Sequence, residues 1–319
     1  MFEYNHGIKI NGTSLWLDAH KSVDFCCVTH AHMDHAKKHK RILATAETLR
    51  FLTRRVGKTQ ATALEFRQPY EFGACAVTLL PAGHILGSAQ VLVERDGLRL
   101  LYSGDFNLEA SATAEAIEIP ESDILIMECT FGKPQYRFPQ RQVVETQLRD
   151  FVTEAFNEGA VPVVVGYALG KAQEAMKILG DAGHHLSVHG SIAALAKIYE
   201  QFGVDFGGWE KYNKDHLEGK VLIIPPNAVR TRMVKRLQAK KSVFLSGWAI
   251  NRGTQYRYGV DAALPLSDHA DFDGLLEYAR RVHPRKIYTT HGPDEFAHHL
   301  RAAGFDAEPL KKPAQLALF

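Results

Sequence analysis

Six segments of this chain end an apolar or glycine-containing stretch with a residue able to hold a metal ion: Asp18, the stretch His30 to His35, His84, Asp105, His269 and His291. Side chains at strand ends project from a rigid scaffold into one shared edge. A fold that uses all six must therefore bring separate strands together at one end. A single strand-end histidine is more often a satisfied structural residue, but one of the six is unusually dense. Thr29-His30-Ala31-His32-Met33-Asp34-His35 packs three imidazoles and a carboxylate into six residues, directly after the apolar run Phe25-Cys26-Cys27-Val28. Solvated histidines would not need that spacing, and buried ones would need partners. Nitrogen and oxygen ligands at the mouth of a buried strand read as a site for one or two transition-metal ions.

The organisation along the chain supports this. Residues 8–17 read as a hairpin around Asn11-Gly12, and 89–94 and 98–103 as strands joined through Asp96-Gly97, a turn pair that hairpins favour. Further strands are expected at 23–28, 76–80 and 124–127, the last ending in Glu128. Helical pattern is expected after Asp34 and over 45–55. From Gln140 the texture changes to alternating helix and strand: helices at 142–157, 171–179, 192–202 and 228–238, strands at 161–165, 185–189 and 221–224. Such alternation points to a small α/β unit with a parallel sheet. A helix at 272–282 and a strand at 286–290 follow, and that strand ends at His291. Histidines so far from the first cluster suggest one site completed by a returning chain, with the middle unit as an insertion.

Bulk properties exclude little. The 319 residues are 45% hydrophobic, enough for one large or two moderate domains, and the net charge of +2 demands neither nucleic acid nor membrane. The absence of a long apolar run and of a leader at Met1 suggests a soluble, cytoplasmic protein without membrane contact. Cys26, Cys27, Cys75 and Cys129 have strand-like apolar surroundings and no CxxC pairing, so they read as buried free thiols.

The ordered motifs Asp18, His30-x-His32-x-Asp34-His35, His84 and Asp105 resemble those of the metallo-β-lactamase fold. Residues 82–89 (AGHILGSA), 102–106 (YSGDF), 128–132 (ECTFG) and 168–174 (ALGKAQE), with Ser267-Asp268-His269 and His291-Gly292, resemble the nucleic-acid-processing β-CASP branch. Residues 166–173 (GYALGKAQ), Ser246-Gly247-Trp248 and 266–271 (LSDHAD) are similar to the bacterial ligase-associated DNA exonuclease family. The resemblance implies an αββα sandwich carrying a compact inserted α/β domain. Its first part would be residues 1–133, the insertion 134–258 and the returning part 259–319.

The resemblance also implies two divalent metal ions, zinc foremost and manganese as the alternative. His30, His32 and His84 would hold one; Asp34, His35 and His291 the other; Asp105 would bridge them, and Asp18 would support from behind. Asp34 is counted with the catalytic residues as well as the ligands. Such an ion pair, roughly 3.5–4 Å apart, suits phosphodiester hydrolysis. His269 is the candidate general acid, oriented by Glu128. The turn 166–171 is one residue short of a nucleotide-binding P-loop and has Ala172 where a hydroxyl would bind Mg²⁺. It is better read as a strand-to-helix turn, either structural or touching a substrate phosphate, with Lys171 as a candidate contact. Arg252, Arg257 and Ser267 are the other substrate-binding candidates. Trp248 could stack a base, but a core tryptophan is the commoner case.

Three functions fit. The first is a DNA exonuclease in end processing, functionally associated with a DNA ligase and a helicase. The second is a β-CASP ribonuclease, and the third a small-molecule hydrolase of lactonase or thioesterase type. His291 bears on the choice, because in the branch it resembles a histidine before that glycine marks RNA-acting members. Ser267-Asp268-His269 points the other way, resembling the Ser-Glu-His of Artemis-type DNA nucleases. A non-catalytic scaffold is disfavoured, since every expected ligand is present.

Overall fold

The computed structural model describes residues 1–311. It divides into two compact units. The first comprises residues 1–110, 114–135 and 269 onward, and the second Tyr136–Asp268 with Ser111–Thr113.

The first unit is two six- and seven-stranded sheets face to face. The strands of the first sheet run in sequence order, Phe2–Tyr4, Ile8–Ile10, Leu15–Leu17, Phe25–Cys27, Arg41–Ala44 and Gln60–Ala63. The second runs Ala307–Pro309, Lys286–Thr290, Ile124–Glu128, Leu98–Tyr102, Ala89–Arg95, Cys75–Pro81 and Tyr70–Phe72. Alternate residues of its central strands go to opposite faces, as the two-residue strand period requires. Leu79, Val91, Val93, Leu100 and Ile126 face the first sheet and pack with Ile10, Leu15, Leu17 and Leu43. Leu80, Leu92, Leu101, Leu125 and Met127 face the other way, onto helices Phe272–Val282 and Phe296–Ala302. With helix Ala46–Val56 on the first sheet the layers are helix, sheet, sheet, helix. Each apolar side chain so buried contributes about 1.5–3 kcal/mol.

Local signals explain the elements around the site. Asp96 and Gly97 both have positive φ, 51° and 75°, the paired conformation a tight hairpin needs. The helix Phe272–Val282 starts at Asp271, whose carboxylate accepts from the Gly274 N–H at 2.8 Å, and buries Phe272, Leu275, Tyr278, Ala279 and Val282 along one stripe. The four cysteines are buried and unbridged.

The second unit is a six-stranded, wholly parallel sheet in the order Trp209–Lys211, His185–Val188, Lys220–Ile224, Val161–Val165, Lys240–Leu245, Ala262–Leu264. Helices Arg141–Asn157, Lys171–Asp181 and Gly190–Gln201 pack on it. Because Ala262–Leu264 adds a strand to this sheet, the division falls at Asp268, ten residues beyond the expected boundary at 258. Two helices expected from the sequence are absent. After Asp34 there is only one turn, closed by His35 and Ala36 N–H groups on the His32 carbonyl. In place of one helix over 228–238 there is a 3-10 turn that ends at Ala228, Pro226–Ala228, and a separate four-residue helix, Arg232–Lys235. The first expected helix gives way to a loop where His30, His32 and His35 gather with the other ligand-type side chains. The second begins behind Pro225-Pro226, which restrict the backbone.

Candidate metal centre

The first unit gathers the strand-end residues at the carboxyl ends of its strands. Asp18 follows Leu15–Leu17, His30 lies three residues past Cys27, His84 three past Pro81 and Asp105 three past Tyr102. Glu128 closes its strand and His291 follows Thr290. Asp18 and His291 have φ of 42° and 51°, left-handed backbone that non-glycine residues seldom adopt. Strain of this kind gathers at functional sites, where the surrounding structure holds it.

The hydrogen bonds fix which nitrogen of each ring faces inward. The single Thr29 hydroxyl proton goes to Asp18 Oδ2 at 2.6 Å, because an ionised carboxylate only accepts. Thr29 Oγ1 must then accept from His30 Nδ1, 3.0 Å away. His35 Nδ1 likewise donates to Asp18 Oδ2 at 2.7 Å. Both rings therefore carry a lone pair at Nε2 when neutral. Those two atoms are buried and have no hydrogen-bond partner among the described residues. What they face is Asp105: His30 Nε2 lies 3.4 Å from Oδ2 and His35 Nε2 3.4 Å from Oδ1. His84 Nε2 is 3.9 Å from Oδ2 and 3.0 Å from His32 Nδ1.

Lone pairs facing lone pairs in a buried site are unfavourable unless a cation lies among them. Neighbouring ligands of a tetrahedral zinc ion, with bonds of about 2.0–2.1 Å, stand roughly 3.4 Å apart. The donor atoms thus fit divalent metal. His30, His32, His84 and Asp105 form one set, and Asp34, His35 and His291 another, each with its ligand atoms within 4.8 Å of one another.

The electrostatics treat the two rings differently. Burial, with the charge of His35, holds His30 well below the usual imidazole range, which keeps it neutral and able to ligate. Burial would also lower His35, but Asp105 and Asp18 on either side outweigh it and raise its pKa, so a metal ion at its Nε2 would have to displace a proton. Burial favours the protonated form of Asp105, yet His35 and His269 more than reverse this and keep it ionised. Burial and His35 lower His291.

At the mouth, His269 Nδ1 donates to Glu128 Oε1 at 2.8 Å. Glu128 is 1% exposed, and the same oxygen accepts from the Phe106 N–H at 3.0 Å, while the Thr130 N–H reaches Oε2 at 3.2 Å. A carboxylate so held fixes the His269 ring, whose centroid lies 4.6 Å from that of His84.

Thr29 is the functional residue that sequence reasoning missed. Its only sequence signal was a hydroxyl immediately before the first histidine. His20 was also unassigned; it is exposed, with its ring centroid 6.1 Å from that of His291.

Backbone packing explains the glycines of two motifs. A Cβ on Gly292 would lie 2.0 Å from the carbonyl oxygen of Cys129, and one on Gly83 2.3 Å from that of Asn107. Gly292→Ala is expected to push His291 and Cys129 apart, costing about 1–3 kcal/mol of overpacking. A lowered melting temperature and less than two metals per chain would follow; a wild-type melting curve with full metal content would refute the steric argument.

The remaining expected site residues lie in the second unit. Ser267 is buried, and its carbonyl accepts from Arg141 at 3.3 Å. The structure does not present Lys171 to a phosphate. Its ammonium is 1% exposed, 2.6 Å from Glu174 and 3.7 Å from Asp268. Burial pushes its pKa down to about 8, with Asp268 opposing and Arg141 adding to the shift. The turn before it is closed by its own side chains, since Gln173 accepts from the Gly170 N–H and donates to the Ala168 carbonyl. Arg252 and Arg257 are exposed. Trp248 is not in the core; it is 37% exposed.

The model of the Zn-dependent metallo-hydrolase RNA specificity domain matches residues 259–311, the span that carries His269 and His291. The protein "Probable DNA ligase" of Opitutus terrae is 38% identical over 320 residues, covering 99% of this chain and 32% of that protein. The "RNase J-like protein" of Methanocaldococcus jannaschii is 34% identical over 186 residues, 50% of this chain and 44% of that one. "Endoribonuclease YSH1" of Gibberella zeae is 27% identical over 199 residues, 50% and 24%. The chain belongs to the β-CASP branch of the metallo-β-lactamase fold. It spans about a third of the first of these relatives and less than half of the others. In β-CASP terms the first unit is the sandwich and the second the inserted domain. Among the described residues no helix is long and apolar enough to cross a membrane.

Proposed function

We propose that the chain is a two-metal phosphodiester hydrolase that degrades DNA from its ends. The observation that carries the hydrolase reading is Asp105, whose two oxygens face separate imidazole nitrogens, His30 on one side and His35 on the other. His30, His32 and His84 would hold one ion, Asp34, His35 and His291 the other, and Asp105 both. Bound there, zinc or manganese would supply positive charge for a phosphoryl oxygen and lower the pKa of the attacking water.

The protein's own groups do the rest. Asp18 and Thr29 keep His30 and His35 in the tautomer that presents Nε2. His269, its Nδ1–H anchored on Glu128, holds a proton at Nε2 for the leaving oxygen.

DNA is favoured because the relative matched over nearly all of the chain bears the name of a DNA ligase. A functional association with a ligase and a helicase goes with that reading, as does a cytoplasmic location. RNA is the second reading, supported by the description of the matching domain model and by the two ribonuclease-named relatives, each matched over half of the chain. The two separate when 5′-labelled DNA and RNA of one sequence are digested with added Mn²⁺ or Zn²⁺. Release of mononucleotides from DNA without a ladder is expected. Internal cuts in RNA alone would overturn the DNA reading.

A further inference from the structure

The second unit holds a crevice of about 560 Å³ lined by Tyr167, Trp248, Asn251, Thr254, Arg257 and Tyr258. Its position follows from the strand order. Val161–Val165 and Lys240–Leu245 are adjacent and parallel. Tyr167 lies in the loop after the first and Trp248 in the loop after the second. The chain leaves the first strand for His185–Val188, on one side, and the second for Ala262–Leu264, on the other. Loops that part in this way open a gap beyond the carboxyl ends of the strands, the usual place for a ligand in an open parallel sheet.

The lining is aromatic, cationic and held in place. Tyr167 is 43% exposed and Trp248 37%, large rings that each keep part of their surface open to solvent. The Trp248 turn is braced by its own N–H on Ser246 Oγ at 3.3 Å and by the Thr254 hydroxyl on the Trp248 carbonyl at 2.7 Å. Tyr136 meets the indole edge-on at 5.4 Å. Tyr258 stacks on Phe244 at 4.0 Å, and the Arg257 guanidinium lies 5.9 Å from the Tyr258 ring. Neither Arg257 nor the neighbouring Arg252 has a carboxylate partner among the described residues. Rigid aromatic faces beside uncompensated guanidinium groups complement a base and its phosphate.

We propose that this crevice is a base-stacking subsite for single-stranded nucleic acid, with a base on Trp248 and Tyr167 and the adjoining phosphate on Arg257. The proposal rests on the nucleic-acid reading of the metal centre. Stacking does not read the sugar, so DNA and RNA strands should both bind here.

The test measures binding apart from cleavage. Full-length protein is titrated into fluorescently labelled ten-nucleotide dT and U strands with phosphorothioate linkages, and anisotropy is followed at several salt concentrations. Loss of a base stack weakens binding roughly 5- to 150-fold, so Trp248→Ala should do so while Trp248→Phe retains most of the affinity. Arg257→Ala, an exposed change with little bearing on folding, should weaken binding and reduce the slope of log K against log salt by about 0.7. Wild-type affinity in both Trp248→Ala and Arg257→Ala would overturn the subsite, as would failure of the wild-type protein to bind either strand. Strands that bind with these losses, but whose ordinary phosphodiester counterparts are never cut, would leave the subsite standing and sink the hydrolase reading.

Discussion

Asp105→Ala should reduce phosphodiester hydrolysis to background and strip metal from the protein. Asp105 is 5% exposed and presents one oxygen to His30 and the other to His35, both at 3.4 Å, so the change deletes a donor from each proposed ion at once. It also removes the charge that compensates a dication in a buried site. Losing an outer-shell partner typically costs about 10–100-fold in metal affinity, and losing a shared ligand should exceed that. Asp18→Asn provides the comparison. It weakens the acceptor for His35 Nδ1 without touching an ion, so its loss should stay within that outer-shell range. Elemental analysis after gel filtration separates the two. Two equivalents of metal per chain in Asp105→Ala would contradict the bridging arrangement.

His269→Ala should lower turnover on nucleic acid by roughly 10²- to 10⁴-fold while leaving metal content intact, the range for removing a general acid. The ring is tied to Glu128, and Glu128 is fixed by the Phe106 and Thr130 N–H groups rather than by any proposed ligand. Truncation therefore removes a proton donor without dismantling the ion set. A leaving group that departs without a proton supplies the check. Against bis-p-nitrophenyl phosphate the same variant should lose far less than against a nucleotide linkage. Equal losses on both substrates would mean that His269 positions substrate or metal and does not protonate the leaving oxygen.

Several features were legible before folding because they are local. Strand ends show as apolar runs closed by a polar residue, and the Asp96-Gly97 hairpin and the helix starting at Asp271 follow from turn and cap chemistry. The helix expected after Asp34 shows the limit: helical composition there is overridden because His30, His32 and His35 must all turn inward. Lys171 shows another. Its place beside a glycine turn resembles a phosphate contact, and only packing reveals that its ammonium is spent on Glu174. Trp248 errs the opposite way, since tryptophan is apolar enough to expect in a core and the strand order leaves it at an open crevice.

Strand-end placement and the branch of the fold are written in residue types at short spacing, and so could be read from the chain alone. Tertiary structure alone decided how those residues act on one another. Asp105 faces His30 on one side and His35 on the other only because residues 30, 35, 84 and 291 meet around it from three strand ends. The inward nitrogen of His30 depends on a hydroxyl proton that Thr29 gives to Asp18, eleven residues away in sequence. Hydrogen-bond direction and the parting of loops at a sheet edge are properties of three-dimensional neighbours, and no local spacing encodes them.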